Sequence, residues 1–150
     1  MLPKKIFCLP FILASLIIGC SKEPQPINYG HEQCSFCKMT VADPRYGAEL
    51  ISATGKIYKF DSIECLISFG ASGAVAENKI FKSLVTDFAN PQTFVDAKTA
   101  IYLISPNLPS PMGANLTGFQ QQNDAVKIQS ENGGNIFSWN EVKNLLSPKN

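Results

Sequence analysis

Apolar and polar residues alternate from Tyr46 to Ala53, with Ala48, Leu50 and Ile51 apolar, and again from Lys56 to Phe60, where Ile57 and Phe60 are apolar. Thr54-Gly55 between them supplies a glycine-containing turn, so this stretch predicts a β-hairpin. The period then changes. Ile63, Leu66, Ile67 and Phe69 recur at helical spacing behind Asp61-Ser62, either of which can cap, with Glu64 in the first turn and Gly70 and Gly73 as stops. A second unit opens with an alternating stretch from Ile80 to Phe88, turns at Asn90-Pro91 and resumes over Ala100–Ile104. A proline-rich loop, Pro106 to Met112, leads to a short strand over Asn115–Phe119 and a helix over Gln122–Ser130. Gly133-Gly134 makes a break, and a terminal helix over Ser138–Leu146 has Trp139, Val142, Leu145 and Leu146 on its apolar side. The pattern predicts the α+β class: two small ββα-type units with antiparallel strands.

The N-terminus has a different pattern. Met1–Lys5 is short and positive, and Ile6–Ile18 is an apolar run of 13 residues, too short for a permanent membrane span. Residues 1–19 therefore read as an export signal. Ile17-Ile18-Gly19-Cys20 resembles the bacterial lipobox, in which lipid is joined to the Cys and cleavage falls just before it. Cys20 is the expected lipidation site, anchoring the protein to a membrane on its periplasmic side. Ser21, rather than Asp, in the next position favours the outer membrane. Residues 20–33 are polar and proline-rich, the composition of a flexible tether, which leaves 34–147 as the folded domain.

Composition narrows the function. With 45% hydrophobic and 17% charged residues, the chain is too apolar to be disordered. Its formal charge is +1, and losing Lys4 and Lys5 with the signal leaves 11 basic against 12 acidic residues. Nucleic-acid binding is not expected of such a balance. Neither is hydrolase chemistry: the mature chain has a lone histidine, His31, in the tether, and no phosphate-cradling glycine loop.

Cysteine is more informative. Cys8 leaves with the signal and Cys20 takes lipid, so Cys34, Cys37 and Cys65 remain in the domain, an odd number in an oxidising compartment. Cys34-x-x-Cys37-Lys38-Met39 combines thiol and thioether, the soft ligands that select Cu(I). Cys37 and Met39 share a face if the segment is extended, and Cys34 approaches the same ion if the chain turns. Met112 sits in the stiff loop Pro109-Ser110-Pro111-Met112-Gly113 and offers a second thioether. Lys38 adds a cation that favours a Cys37 thiolate. Asp61 reads first as a helix cap, and Cys65, four residues on, shares its helix face.

Other readings stay open. His31, Cys34, Cys37 and Cys65 make a Cys₃His set for a structural Zn²⁺, and Cys34 with Cys37 a structural disulfide, in a surface lipoprotein that binds a protein partner. Thiol exchange is disfavoured because Thr40-Val41-Ala42-Asp43-Pro44 stops any helix after Cys37. Haem attachment is disfavoured because Lys38 stands where a histidine is needed.

These elements, taken in order, resemble the NosL family of nitrous-oxide reductase accessory lipoproteins, whose members include Cu(I)-binding delivery proteins. The resemblance rests on the lipobox, Cys34-x-x-Cys37-Lys38-Met39-Thr40-Val41, Ala48-Glu49-Leu50, Gly55-Lys56-x-x-Lys59-Phe60-Asp61-Ser62-Ile63-Glu64-Cys65-Leu66, Thr86-Asp87-Phe88 and Ser110-Pro111-Met112-Gly113, and covers roughly residues 20 to 140. Lys38 replaces a Gly, and Glu49 a Gln, of many members. The resemblance implies a pair of ββα-type units and a non-enzymatic, periplasmic Cu(I) carrier serving nitrous-oxide reductase maturation. It also implies Cys37 and Met39 as copper anchor and Met112 as a further ligand.

Overall fold

The computed structural model describes residues 22–147; the expected signal and the lipidation site at Cys20 lie outside the described residues. Strands β1 (Ala48–Ser52) and β2 (Ile57–Phe60) form the hairpin, and helix α1 (Ile63–Ala71) follows β2 after two residues. Strands β3 (Ile80–Thr86) and β4 (Phe94–Asp96) complete an antiparallel sheet of order β2-β1-β3-β4. The second sheet, of order β6-β5-β7, is built from β5 (Ile101–Ile104), β6 (Leu116–Phe119) and β7 (Asn135–Phe137). Helix α2 (Gln122–Asn132) connects β6 to β7, and α3 (Trp139–Leu146) ends the chain. The class is α+β with two small antiparallel sheets, and no helix among the described residues is long and apolar enough to cross a membrane.

Local chemistry explains the elements that frame the site. The Ser62 side chain caps α1 by accepting the Cys65 N–H at 3.3 Å. Ile63, Leu66, Ile67 and Phe69 are all buried, each contributing about 1.5–3 kcal/mol of apolar transfer. Phe69 stacks on Tyr58 and Phe60, with ring centroids 4.8 and 5.2 Å away, so α1 is held on the sheet that delivers it. The two sheets meet where Phe88 N–H donates to the Gly118 carbonyl at 2.8 Å. A Cβ at Gly118 would lie 3.1 Å from Val85 Cγ2, so glycine permits this approach.

Three features differ from the sequence pattern. Strands β4 and β7 have three residues each, too few to register as alternation, and β7 follows the glycine pair that reads as a break. Gly134 has φ +96, and a Cβ there would collide with the Ile104 carbonyl, so glycine lets β7 close against β5. Helix α1 runs through Gly70 to Ala71 before Gly73 turns away at φ +70. The segment before the domain lies along the body: Ile27 is buried, Gln25 N–H donates to the Glu49 carboxylate, and the Lys59 ammonium donates to the Pro26 carbonyl at 2.7 Å.

Candidate metal centre

The site starts from a tight loop. Cys34 N–H donates to the Met39 carbonyl at 2.8 Å, Lys38 N–H donates to the Cys34 carbonyl at 3.2 Å, and an isolated bridge pairs Gln33 with Thr40. The turn needs positive φ at Lys38, which adopts +67. Its ammonium folds back onto the Ser35 carbonyl at 2.8 Å. Ser35 fastens the loop to the end of β2: its N–H donates to the Lys59 carbonyl, and its hydroxyl accepts the Lys59 N–H. The loop thus lies where β2 passes into α1.

This docking brings Cys34 and Cys37 against Asp61 and Cys65. One ligand atom from each of the four lies within 4.8 Å of every other. Two ligands about 2.3 Å from a common ion in a tetrahedron stand roughly 3.8 Å apart, so a bound ion asks the group to contract by about 1 Å at most. Cys34, Cys65 and Asp61 are buried and Cys37 is half-buried, so Cys37 is the member of the group that solvent reaches. All three cysteines are free thiols. Cys37 Sγ donates to Asp61 Oδ2 at 3.5 Å, while Asp61 Oδ1 is buried with no partner. An orphaned buried oxygen costs about 1–3 kcal/mol, a penalty that a cation at this point removes.

The thiols are electrostatically unequal. The Cys65 thiol donates to Cys34 and, against the opposing effect of burial, lowers the Cys34 pKa to about 6. The backbone N–H groups of Asp61, Cys37 and Phe36 reinforce that shift. The same bond, then burial, then Asp61 push Cys65 up. Burial raises Cys37, with the Met39 N–H opposing. Of this pair Cys34 is therefore the thiol that ionises first, with Cys65 holding the proton.

The structure brings some of the residues singled out in the sequence together and leaves others apart. Cys34, Cys37 and Cys65 converge, and Asp61 joins them, because Ser62 takes the capping role that Asp61 could also fill. The Asp61 to Cys65 spacing was the signal. Lys38 does not activate Cys37; its charge is engaged by Ser35. His31 is exposed and outside the cluster, so the Cys₃His set is not assembled. Met39 is 53% and Met112 41% exposed. Sequence reasoning missed the bond from the Ser110 hydroxyl to the buried Glu64 carboxylate, which ties the Met112 loop to the first turn of α1 beside Cys65.

The fold and the site define a small α+β domain with a buried thiol-rich cluster of metal-ligand type. The NosL family model matches residues 26–146, and the chain belongs to that family. It is 23% identical, over 92% of its length and 80% of the relative's, to the copper-binding lipoprotein NosL of Stutzerimonas stutzeri. The crystal structure of the copper chaperone NosL from Shewanella denitrificans superposes with a TM-score of 0.69 at 23% identity, covering 81% of this chain and 96% of that one, and shows that the fold is shared.

Proposed function

We propose that the protein is an exported, lipid-anchored, non-enzymatic carrier that binds Cu(I) and delivers it to the maturation of nitrous-oxide reductase. The observation that supports this most is the convergence of three free thiols within 4.8 Å behind a half-buried mouth. Soft sulfur at short mutual distance suits Cu(I), and one accessible member gives a partner a point of attack. In this reading Cys34 and Cys37 take the ion first, and Cys65 completes a three-sulfur set on losing its proton. Met39, two residues from Cys37, and Met112, on the loop tied to α1, are the exposed thioethers that meet copper as it enters or leaves. Cys20 carries the lipid that keeps the carrier at the membrane, the outer one being favoured by Ser21.

The client is tested in cells. Removing this protein should leave nitrous-oxide reductase copper-poor, the wild type should restore the copper, and a Cys34→Ser, Cys37→Ser, Cys65→Ser variant should not. Full copper loading in its absence would refute the assignment of client. One observation favours a second reading: Asp61 turns three sulfurs into a Cys₃Asp tetrahedron, a set that Zn²⁺ accepts, and a surface lipoprotein stapled by Zn²⁺ would serve as a protein-interaction module. Metal competition separates the two.

A further inference from the structure

A cavity of about 280 Å³ lies remote in sequence from the cysteine loop, between the C-terminal part of α1, the start of β3 and helix α3. Leu66, Ile67, Ile80 and Trp139 supply apolar walls, and Phe81, at its edge, is 54% exposed. Lys82, Lys98 and Lys143 also line it, against Glu77 and Asp96. A large exposed aromatic beside a lysine-rich rim is the composition of a side chain that seats at a membrane interface, with ammonium groups reaching headgroups around it.

The first described residue identifies what this face meets. Lys22 Nζ stands 5.1 Å from the centre of the Phe81 ring. Cys20 is two residues earlier, and two residues of fully extended chain reach about 7 Å. With the Lys22 side chain adding about 6 Å, a lipid on Cys20 therefore enters the bilayer within about 18 Å of Phe81 at most, close enough to bring this face to the same surface. From Gln25 onward the segment is fastened to the body by Glu49, Lys59 and the burial of Ile27, so it leaves little slack for the domain to swing.

We propose that the face formed by Phe81, Trp139 and the surrounding lysines docks on the surface of an anionic bilayer, so that the anchored protein lies on its membrane rather than hanging from a leash. The proposal rests on lipidation at Cys20. Phe81 enters the interfacial layer, Lys22, Lys98 and Lys143 meet lipid phosphates, and the cavity is covered by headgroups.

Trp139 is the chain's single tryptophan and lines this cavity, so its fluorescence reports the face alone. The lipidated full-length mature protein is reconstituted on vesicles of phosphatidylglycerol and phosphatidylethanolamine, and quenching by neutral acrylamide is compared with that of the Cys20→Ala protein in solution. Docking predicts acrylamide quenching reduced about twofold or more on vesicles, as for an aromatic moved into the interface. It also predicts strong quenching by lipids brominated near the headgroup. Phe81→Asp, at an exposed position, should stay on the vesicles and keep its circular dichroism while Trp139 reopens to acrylamide. Equal quenching on vesicles and in solution, or protection unaltered by Phe81→Asp, overturns the proposal. Intact mass and vesicle co-sedimentation are read first: a chain without added acyl mass refutes the anchoring reading, and the docking proposal with it.

Discussion

Replacing Cys65 by Ala should expose how copper binding is linked to protons. The Cys65 thiol is the largest cause of the low Cys34 pKa, about 6. Without that donor, Cys34 moves toward the unperturbed thiol value of about 8.5. At pH 7 the wild-type Cys34 is mostly thiolate, whereas in Cys65→Ala it is mostly thiol and must lose its proton to bind metal. The gap from pH 7 to 8.5 is about 1.5 units, or about 2 kcal/mol, which is roughly a 30-fold proton penalty on Cu(I) binding at Cys34 of the variant. In the wild type it is the Cys65 proton that must leave, because Cys65 becomes the third sulfur, so each protein releases one proton at this point at neutral pH and the variant also lacks one ligand. Above about pH 8.5 the two proteins part: Cys34 of the variant is already ionised, whereas the wild-type Cys65, pushed up by Cys34 and burial, still gives up its proton only to the metal. The wild-type to variant affinity ratio should therefore stay level from about pH 7 to 8 and grow above about pH 8.5. Anaerobic Cu(I) competition titrations from pH 6 to 9.5, with the Cys34 pKa measured by alkylation rate in a Cys37→Ser background, provide the test. A ratio that shrinks as pH rises, or a Cys34 pKa unmoved by Cys65→Ala, would refute the reasoning.

Further outcomes follow from the same structure. Cys20→Ala should yield an unprocessed or soluble exported form without acyl mass, because each buried CH₂ of lipid contributes about 0.8 kcal/mol to anchoring; fractionation with mass spectrometry checks it, and unchanged partition with unchanged mass refutes it. Met112→Leu conserves volume, so the apo melting temperature and the equilibrium Cu(I) affinity should hardly move, while stopped-flow exchange of Cu(I) with a chelator should slow about tenfold. Gly134→Ala should cost about 2 kcal/mol or more in urea unfolding, since φ +96 and the Ile104 carbonyl both exclude a Cβ.

Much of the fold was legible because its strong elements carry their own period. The hairpin around Thr54-Gly55 and the helix behind Ser62 show in alternation and helical spacing, and both form as read. Strands β4 and β7 were not legible, because three residues cannot display a period and their pairing to β3 and β5 is a tertiary fact. At the site, Cys34, Cys37 and Cys65 were visible as residue types, but their proximity depends on Ser35 docking the loop on Lys59. Asp61 was masked by its capping propensity, which Ser62 satisfies instead. The Glu64 to Ser110 bond joins positions 46 residues apart, a separation no local pattern reports.

The central claim is that the thiol cluster selects one Cu(I). An anaerobic titration of residues 21–150 with Cu(I) against a competing chelator, with Zn²⁺ in parallel, tests it most directly. The account predicts one tightly held Cu(I) per chain, retained in excess Zn²⁺ and lost when Cys34, Cys37 and Cys65 are all Ser. Zn²⁺ displacing Cu(I), or Cu(I) bound equally tightly by the triple variant, would contradict it.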